Sequence, residues 1–433
     1  MREMKDSGIE WIGEIPKDWI ITKIKNHFKI GSGTTPTSDD PELWNGDIVW
    51  ITPADFKTND VYVEKGHRYL SEKGFTSSSL ELIEPGNIIF SKRAPIGQVV
   101  INRTRLCTNQ GCLTVVKTDK SDVRYYRYVM SVATEEFELS GSGTTFKEIS
   151  ANTFGNTFLP RPSYYVQKSI ADYLDERCAK IDAIIEKQQE IIEKLKEYKL
   201  SVITEAVTKG LNSDVEMKDS GVESIGFVPK NWKICRLRNI GVPQNGISKG
   251  GEYFGSGDPF VSYGDVYKNY SLPNCIEGLI QSTEDEKEKY SVEEGDIFFT
   301  RTSETIDEVG FSCVCEKTIP NATFAGFLIR VRPFDKDSLY IGFAKYYFRS
   351  NHHRKYYAKE MNLVTRASLG QDLLKSVPVL LPPNEEQRVI AKYLDKKCTQ
   401  IEKIINDKEI LIQRLSEYKE SLIFEAVTGK KGV

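Results

Sequence analysis

Two stretches of the chain place a mostly apolar residue at every seventh position. Leu174, Ile181, Gln188, Leu195 and Val202 form one stripe, and Ile184, Ile191 and Tyr198 form a second stripe three residues behind it. The pattern returns as Leu394, Ile401, Lys408, Leu415 and Leu422, accompanied by Ile404, Leu411 and Tyr418. Apolar positions alternating three and four residues apart make the seam of a coiled coil. The pattern predicts two long helices, from Tyr164 to about Thr208 and from Glu385 to about Thr428. Each would be roughly 65 Å long at the usual helical rise. Pro162 and Pro382-Pro383 stand just before them, and Gly210 and Gly429 just after, which matches the residues that begin and end helices. Gln188 and Lys408 put a polar residue in the same layer of both, a device that fixes register and partner number. Two such helices in one chain pair most naturally with each other, antiparallel.

Elsewhere the apolar residues come in short runs bounded by Gly, Pro or Asn, the signature of strands. The first region offers Ile48-Val49-Trp50-Ile51, Asn87-Ile88-Ile89-Phe90, Val99-Val100-Ile101 and Leu113-Thr114-Val115-Val116. The second offers Asp296-Ile297-Phe298-Phe299, Phe311-Ser312-Cys313-Val314 and Phe327-Leu328-Ile329-Arg330-Val331. The stretch from Pro85 to Lys92 lines up with that from Glu294 to Arg301, so the two regions share a fold and differ in surface. The expected class is α+β: two mixed α/β domains joined by two long repeated helices in an antiparallel coiled coil, with an internal pseudo-twofold repeat. The segments are 1–160 (first domain), 161–212 (first helix), 213–380 (second domain) and 381–433 (second helix).

The repeat is literal in places. Met4-Lys5-Asp6-Ser7-Gly8-Ile9-Glu10, Ile12-Gly13 and Pro16-Lys17-Asp18-Trp19 return 213 residues later as Met217-Lys218-Asp219-Ser220-Gly221-Val222-Glu223, Ile225-Gly226 and Pro229-Lys230-Asn231-Trp232. Gln167, Ile170-Ala171, Tyr173-Leu174-Asp175, Cys178 and Ile181 return 220 residues later as Gln387, Ile390-Ala391, Tyr393-Leu394-Asp395, Cys398 and Ile401. The inserts between these phrases do not repeat clearly. A frame that repeats while its contents differ points to a device that reads two different things at a fixed separation.

Composition narrows the class. With 433 residues, 39% apolar and 28% charged, the chain reads as two to four soluble domains. No apolar run approaches the ~18 residues of a membrane span, and the first residues lack the apolar segment of a signal peptide, so a cytoplasmic protein without membrane contact is expected. The eight Cys form no C-x-x-C pair and the four His are not spaced with them as zinc ligands, which favours buried thiols over a metal site. The net charge of −3 is not that of a strongly basic nucleic-acid binder. If this chain meets DNA, its positive charge is arranged locally or comes from a partner.

The repeated phrase from Met4 to Trp19, its return at Met217, and the two Gln-x-x-Ile-Ala-x-Tyr-Leu-Asp helix starts resemble the specificity subunits of type I restriction–modification systems, over almost the whole chain. Gly31-Ser32-Gly33-Thr34-Thr35-Pro36, Arg93-Ala94-Pro95-Ile96-Gly97 and Asn109-Gln110-Gly111 add to the likeness. The second insert departs from all three, with Arg301-Thr302-Ser303 and Phe324-Ala325-Gly326 nearby. The resemblance implies that each insert is a target recognition domain for one half-site of a split double-stranded DNA sequence. It implies that the helices set the unread gap and dock two methyltransferase subunits, which methylate adenine N6 with S-adenosylmethionine. Restriction–translocase subunits using ATP and Mg would then join, and this chain itself would bind no cofactor.

Base-edge chemistry selects candidate contacts, since Arg and Lys suit guanine while Asn and Gln suit adenine. In the first insert they are Thr34, Thr35, Lys92, Arg93, Asn109 and Gln110, with Ser142, Thr144, Thr145 and Lys147 in a glycine-containing loop suited to close approach to phosphates. In the second they are Arg301, Thr302, Ser303, Arg366, Ser368 and Gln371, with Lys249 and the cluster His353-Arg354-Lys355 as candidate phosphate contacts.

Catalytic motifs are missing from the sequence. Gly257-Asp258-Pro259-Phe260 lacks the second proline of an adenine methyltransferase loop, and no G-x-x-x-x-G-K-[ST] or H-E-x-x-H occurs. A non-catalytic subunit is therefore expected, of a system that restricts or of one that only methylates. The competing readings are an enzyme with drifted motifs and a coiled-coil scaffold for ligands other than DNA.

Overall fold

The computed structural model describes residues 2–57, 60–93, 95–143, 147–303, 309–360 and 367–433. They group into two compact units, Met1–Gln188 with Ile410–Val433, and Gln189–Glu409. Each long helix thus contributes one end to each unit. The grouping by packing cuts across the segments expected from sequence, because the helix ends are part of the domain cores.

In the first unit, a five-stranded sheet runs in the order Phe28–Ser32, Cys112–Lys117, Ile88–Ser91, Val99–Asn102, Tyr62–Val63. A three-stranded sheet of Leu106–Thr108, Trp44–Ile51 and Arg68–Leu70 lies beside it in the chain's topology. The run Ile88-Ile89-Phe90-Ser91 is buried throughout. Ile88 and Phe90 face the main core, while Ile89 faces a second cluster with Ile51, Val100 and Leu106. A strand covered on both faces needs a continuous apolar run rather than alternation, and that is what the sequence supplies.

The second unit repeats the plan. A four-stranded sheet runs Gly241–Asn245, Leu328–Pro333, Ile297–Thr300, Ser312–Val314, and a three-stranded sheet runs Leu279–Ile280, Phe254–Val261, Thr323–Phe324. Ile297 and Phe299 enter one core and Phe298 another. Among the described residues all eight cysteines are free thiols, six of them buried and Cys275 exposed.

The long helices span Tyr164–Lys209 and Asn384–Val427. In the first unit the start of one packs against the end of the other, with Leu174, Cys178 and Ile181 sharing a core with Leu422, Ile423 and Val427. In the second unit Ile203 and Val207 share a core with Ile390, Leu394 and Cys398. The helices are therefore antiparallel. The ion pairs Lys419–Asp182, at 2.6 Å, and Lys199–Glu402, at 2.6 Å, are the same pair under the 220-residue repeat.

The seam differs from the expected one in half its positions. Leu174, Ile181, Leu394 and Ile401 are buried, and Gln188, Leu195, Lys408 and Leu415 half-buried, as the first stripe requires. The companion stripe, however, stands four residues behind rather than three. Cys178, Ile185, Ile192 and Lys199 line it, with Cys398, Ile405, Ile412 and Lys419 in the other copy, all buried or half-buried. Ile184, Tyr198, Ile404, Leu411 and Tyr418 lie outside at 44%, 55%, 44%, 39% and 55% exposure, and Ile191 is half-buried. Both companion stripes are apolar enough to be read as seam. Lys199 and Lys419 disguised the true one, since a lysine can lay its stem along an apolar seam and keep its head in an ion pair.

The repeated phrases are the joints of this plan. Met4–Asp6 and Glu14–Pro16 form a hairpin, as do Met217–Asp219 and Phe227–Pro229. The Asp-Ser-Gly turns close identically. Asp6 Oδ1 accepts from the Gly8 amide at 2.9 Å and Ser7 Oγ from the Ile9 amide at 3.1 Å, with the same 2.9 and 3.1 Å at Asp219 and Ser220. The hairpin delivers a fully buried tryptophan, Trp19 or Trp232, to the end of a long helix. There the chain leaves through Gly429 or Gly210, both at φ +75°, and a Cβ on either would meet the tryptophan ring at 3.0 or 3.3 Å. The repeated glutamine ties the helix start to its domain. Gln167 accepts from the Asp122 amide at 3.0 Å and donates to the Pro162 carbonyl at 2.9 Å. Gln387 does the same with Tyr340 and Pro382, at 2.7 and 3.0 Å. The repeated aspartates accept from tyrosine hydroxyls, Tyr128 on Asp175 at 2.9 Å and Tyr346 on Asp395 at 2.7 Å.

Candidate nucleic-acid interface

Four loops of the first unit meet at the ends of its central strands. The loop after Phe28–Ser32 is held by the Thr34 amide donating to the Thr108 carbonyl at 3.1 Å. A Cβ on Gly33 would stand 1.7 Å from that carbonyl oxygen, so only glycine allows the approach. The turn Asn109–Cys112 is pinned by the Asn109 amide on Ile51 and by Asn109 Oδ1 accepting from the Gly111 amide at 2.8 Å. The Lys92 amide donates to the Gly111 carbonyl at 3.0 Å, and the Ile149 amide donates to Lys92 at 3.0 Å. These bonds bring Thr34, Thr35, Lys92, Arg93, Asn109, Gln110 and Ser142 into one region. Thr35 donates to Gln110, and both Arg93 and Ser142 bridge to Glu148 through their backbones, while the Lys92 ammonium is taken up by Glu148 at 2.8 Å with 13% of its side chain exposed, so Lys92 is not offered to the duplex. Gln110, Ser142 and Lys147 are exposed. Asn109, expected to face a base edge, is instead buried, with its side-chain oxygen engaged by the turn. Thr144 and Thr145 lie outside the described residues.

The second unit has the same backbone scheme with other side chains. The Ile247 amide donates to the Phe324 carbonyl at 2.8 Å, Ala325 to Val261 at 3.0 Å, Leu328 to Ala325 at 2.9 Å, Arg301 to Phe327 at 2.9 Å, and Leu369 to Arg301 at 2.7 Å. By these bonds Gly246 is the counterpart of Gly33, Arg301 of Lys92, and Phe327 of Gly111. A Cβ on Gly246 would again collide, at 2.2 Å from the Phe324 carbonyl oxygen. Thr302 and Ser303 pair with Ser368 and Ala367 as a short two-stranded ladder. Gln371 donates to Asn245 at 3.1 Å, which adds Asn245 to the region. Arg366 lies outside the described residues.

Two expectations fail here. Lys249 is not offered to phosphate: its ammonium donates to Glu286 at 2.6 Å and to the Gln281 carbonyl at 2.7 Å, with only 14% of the side chain exposed. That contact holds the Glu286 carboxyl below its usual range. His353 is fully buried and Arg354 turns onto the backbone carbonyls of Val309 and Gly310. Their neighbours in the core, Tyr347 and Tyr357, make these two residues packing elements rather than a phosphate clamp, and of the cluster only Lys355 is exposed. Two residues of this region lie outside the set expected from sequence: the backbone equivalence brings in Phe327 and the Gln371 side chain brings in Asn245, and the side chains on the two inserts are too different for either to be found by alignment.

Among the described residues no group of three or more His, Cys, Asp or Glu could hold a metal ion, and no helix is long and apolar enough to cross a membrane. The family model for the type I restriction modification DNA specificity domain matches twice, at residues 16–202 and 229–412. The chain belongs to that family. Each match covers one recognition domain and most of the helix that follows, so this specificity subunit carries the DNA-recognising domain in duplicate. The chain is 32% identical over 322 residues to the type I restriction enzyme MjaIX specificity subunit of Methanocaldococcus jannaschii, which covers 70% of each chain. It is 26% identical over 298 residues to the EcoKI specificity subunit of Escherichia coli K12, covering 67% of this chain and 61% of that one. Its fold is similar to a chain in a solved type I restriction–modification assembly (TM-score 0.73, 16% identity, 96% and 99% covered). A weaker likeness is to the specificity subunit of Thermoanaerobacter tengcongensis (TM-score 0.52, 15% identity, 96% and 98% covered).

Proposed function

We propose that each unit of this specificity subunit reads one half-site of a bipartite double-stranded DNA target, and that the antiparallel helices fix the unread gap. The observation that carries the reading is the recognition region itself. One hydrogen-bonded backbone scheme occurs twice and presents different side chains each time, which is what two unlike half-sites demand. Phosphate contacts from exposed residues such as Lys147 position the duplex, and side chains on the turns read base edges.

Catalysis belongs to partners in this reading: two methyltransferase subunits that use S-adenosylmethionine on adenine N6, and restriction–translocase subunits that use ATP and Mg. The apolar positions left outside the helix seam support twofold docking. The first unit exposes Ile184, Leu411 and Tyr418, and the second has Ile404, Ile191 and Tyr198 at the equivalent positions. Equivalent patches on a pseudo-twofold chain take two copies of one partner.

A matched insertion in the helices tests the gap. Lengthening at Lys209 would break the packing of Gly210 on Trp232, so the insertions belong at Gln188–Gln189 and Glu409–Ile410, where each helix passes from one unit to the other. Seven residues in each keep the seam in phase and add about 10 Å, about three base pairs of duplex. The methylated motif should keep both halves and gain that many unread positions. An unchanged gap would rule out the helices as the spacer.

A further inference from the structure

A single exposed phenylalanine on a protein surface needs no explanation by itself. Phe327 stands out because of where it is held. It occupies the tight turn Ala325–Leu328, whose backbone is fixed by the Leu328 amide on Ala325 at 2.9 Å and the Gly326 amide on Ile247 at 2.7 Å. Its own carbonyl accepts from the Arg301 amide at 2.9 Å. Ala325 and Leu328 on either side are 7% and 0% exposed, whereas Phe327 is 65% exposed. The turn thus cannot swing the ring inward without losing these bonds, and it holds the exposed ring in the candidate interface, on the residue whose carbonyl is bonded to the Arg301 amide. In the first unit the equivalent position is Gly111, and a side chain there would strike Arg93 Nε at 2.8 Å. A guanidinium thus covers the turn that a phenyl ring crowns in the second unit.

A phenyl ring offers no hydrogen bond to a base edge. The one apolar group in the major groove is the 5-methyl of thymine, and apolar side chains read it by contact. Resting on the DNA-reading function above, we infer that Phe327 packs against a thymine methyl in the half-site read by the second unit. It is a specificity-determining residue for that half-site alone. The first unit, with Arg93 over its turn, has the chemistry for guanine at the matching place.

The test uses the chain assembled with its methyltransferase subunits, and duplexes in which each thymine of the half-site is replaced in turn by deoxyuridine. At one position deoxyuridine should weaken binding by the wild-type assembly about fourfold, the value of one buried methyl group. Phe327→Ala should bind the thymine duplex more weakly and be indifferent to deoxyuridine at that position, while Phe327→Leu keeps part of the sensitivity. Both variants should still recognise the first half-site, which shows that they fold. Wild-type indifference to every deoxyuridine overturns the inference, as does undiminished sensitivity in Phe327→Ala. Weaker binding by Phe327→Ala with deoxyuridine neutral throughout also overturns it, and would mark the ring as a wedge or stacking group. A wild-type assembly that binds no duplex at all would instead sink the DNA-reading function on which the inference rests.

Discussion

The turn at Asn109–Cys112 in the first unit and the turn at Ala325–Leu328 in the second are held by three matching backbone hydrogen bonds. One lies beneath Arg93 and exposes the polar Gln110; the other exposes Phe327 and has Arg301 beside it. The difference shows how the chain divides its labour. Positions that hold the frame repeat as residues: Trp19 and Trp232, Gln167 and Gln387, Asp175 and Asp395. Positions that face outward from the turns repeat only as backbone. Specificity can then change by substitution on a fixed scaffold, at little cost to folding.

The largest effects are expected when the repeated frame residues are removed. Trp19→Ala and Trp232→Ala should each cost about 3–5 kcal/mol, the usual loss for a large buried aromatic, measured by chemical denaturation followed by circular dichroism. A loss under about 1 kcal/mol in only one of them would show that the two frames are not equivalent. Gln167→Ala and Gln387→Ala should come next, at about 2–4 kcal/mol, because each strands a backbone amide, buried at Asp122 and half-buried at Tyr340, together with a buried carbonyl. Hydrogen exchange should accelerate at the Asp122 amide in the first variant and at the Tyr340 amide in the second, each without the other.

Smaller effects sharpen the contrast between the turns. Arg93→Ala should cost about 1–3 kcal/mol of discrimination at one base pair, seen as a degenerate position in the first half of the methylated motif with the second half unchanged. Loss of selectivity in both halves would mean that Arg93 acts on the frame. The smallest effect is expected at Lys249. Because its charge is spent on Glu286, Lys249→Ala should leave the salt dependence of DNA binding unchanged, whereas Lys147→Ala should lower the slope by about one. A slope change at Lys249 would return it to the phosphate-contacting set.

The frame was legible in the sequence because its residues are fixed by packing. A tryptophan that plugs a helix end or a glutamine that bonds two backbone groups has few substitutes, so it recurs as a letter. The strand runs were legible for a similar reason: Ile88-Ile89-Phe90 and Ile297-Phe298-Phe299 are buried on both faces. The helix seam was half legible. Ile184, Ile191 and Tyr198 are as apolar as Cys178, Ile185, Ile192 and Lys199, and periodicity cannot rank them when a lysine stem serves as seam. The recognition face was least legible. Lys249 has the residue type of a phosphate contact and the surroundings of an internal ion pair, while Phe327 reads as the first residue of a strand and is the exposed crown of a turn.

The most direct test of bipartite reading is to co-express the chain with its cognate methyltransferase subunit and map N6-methyladenine across the host genome by single-molecule sequencing. Bipartite reading predicts a split motif with two unlike halves separated by a constant gap. Methylation at a continuous motif, or none despite a stable assembly, would contradict it.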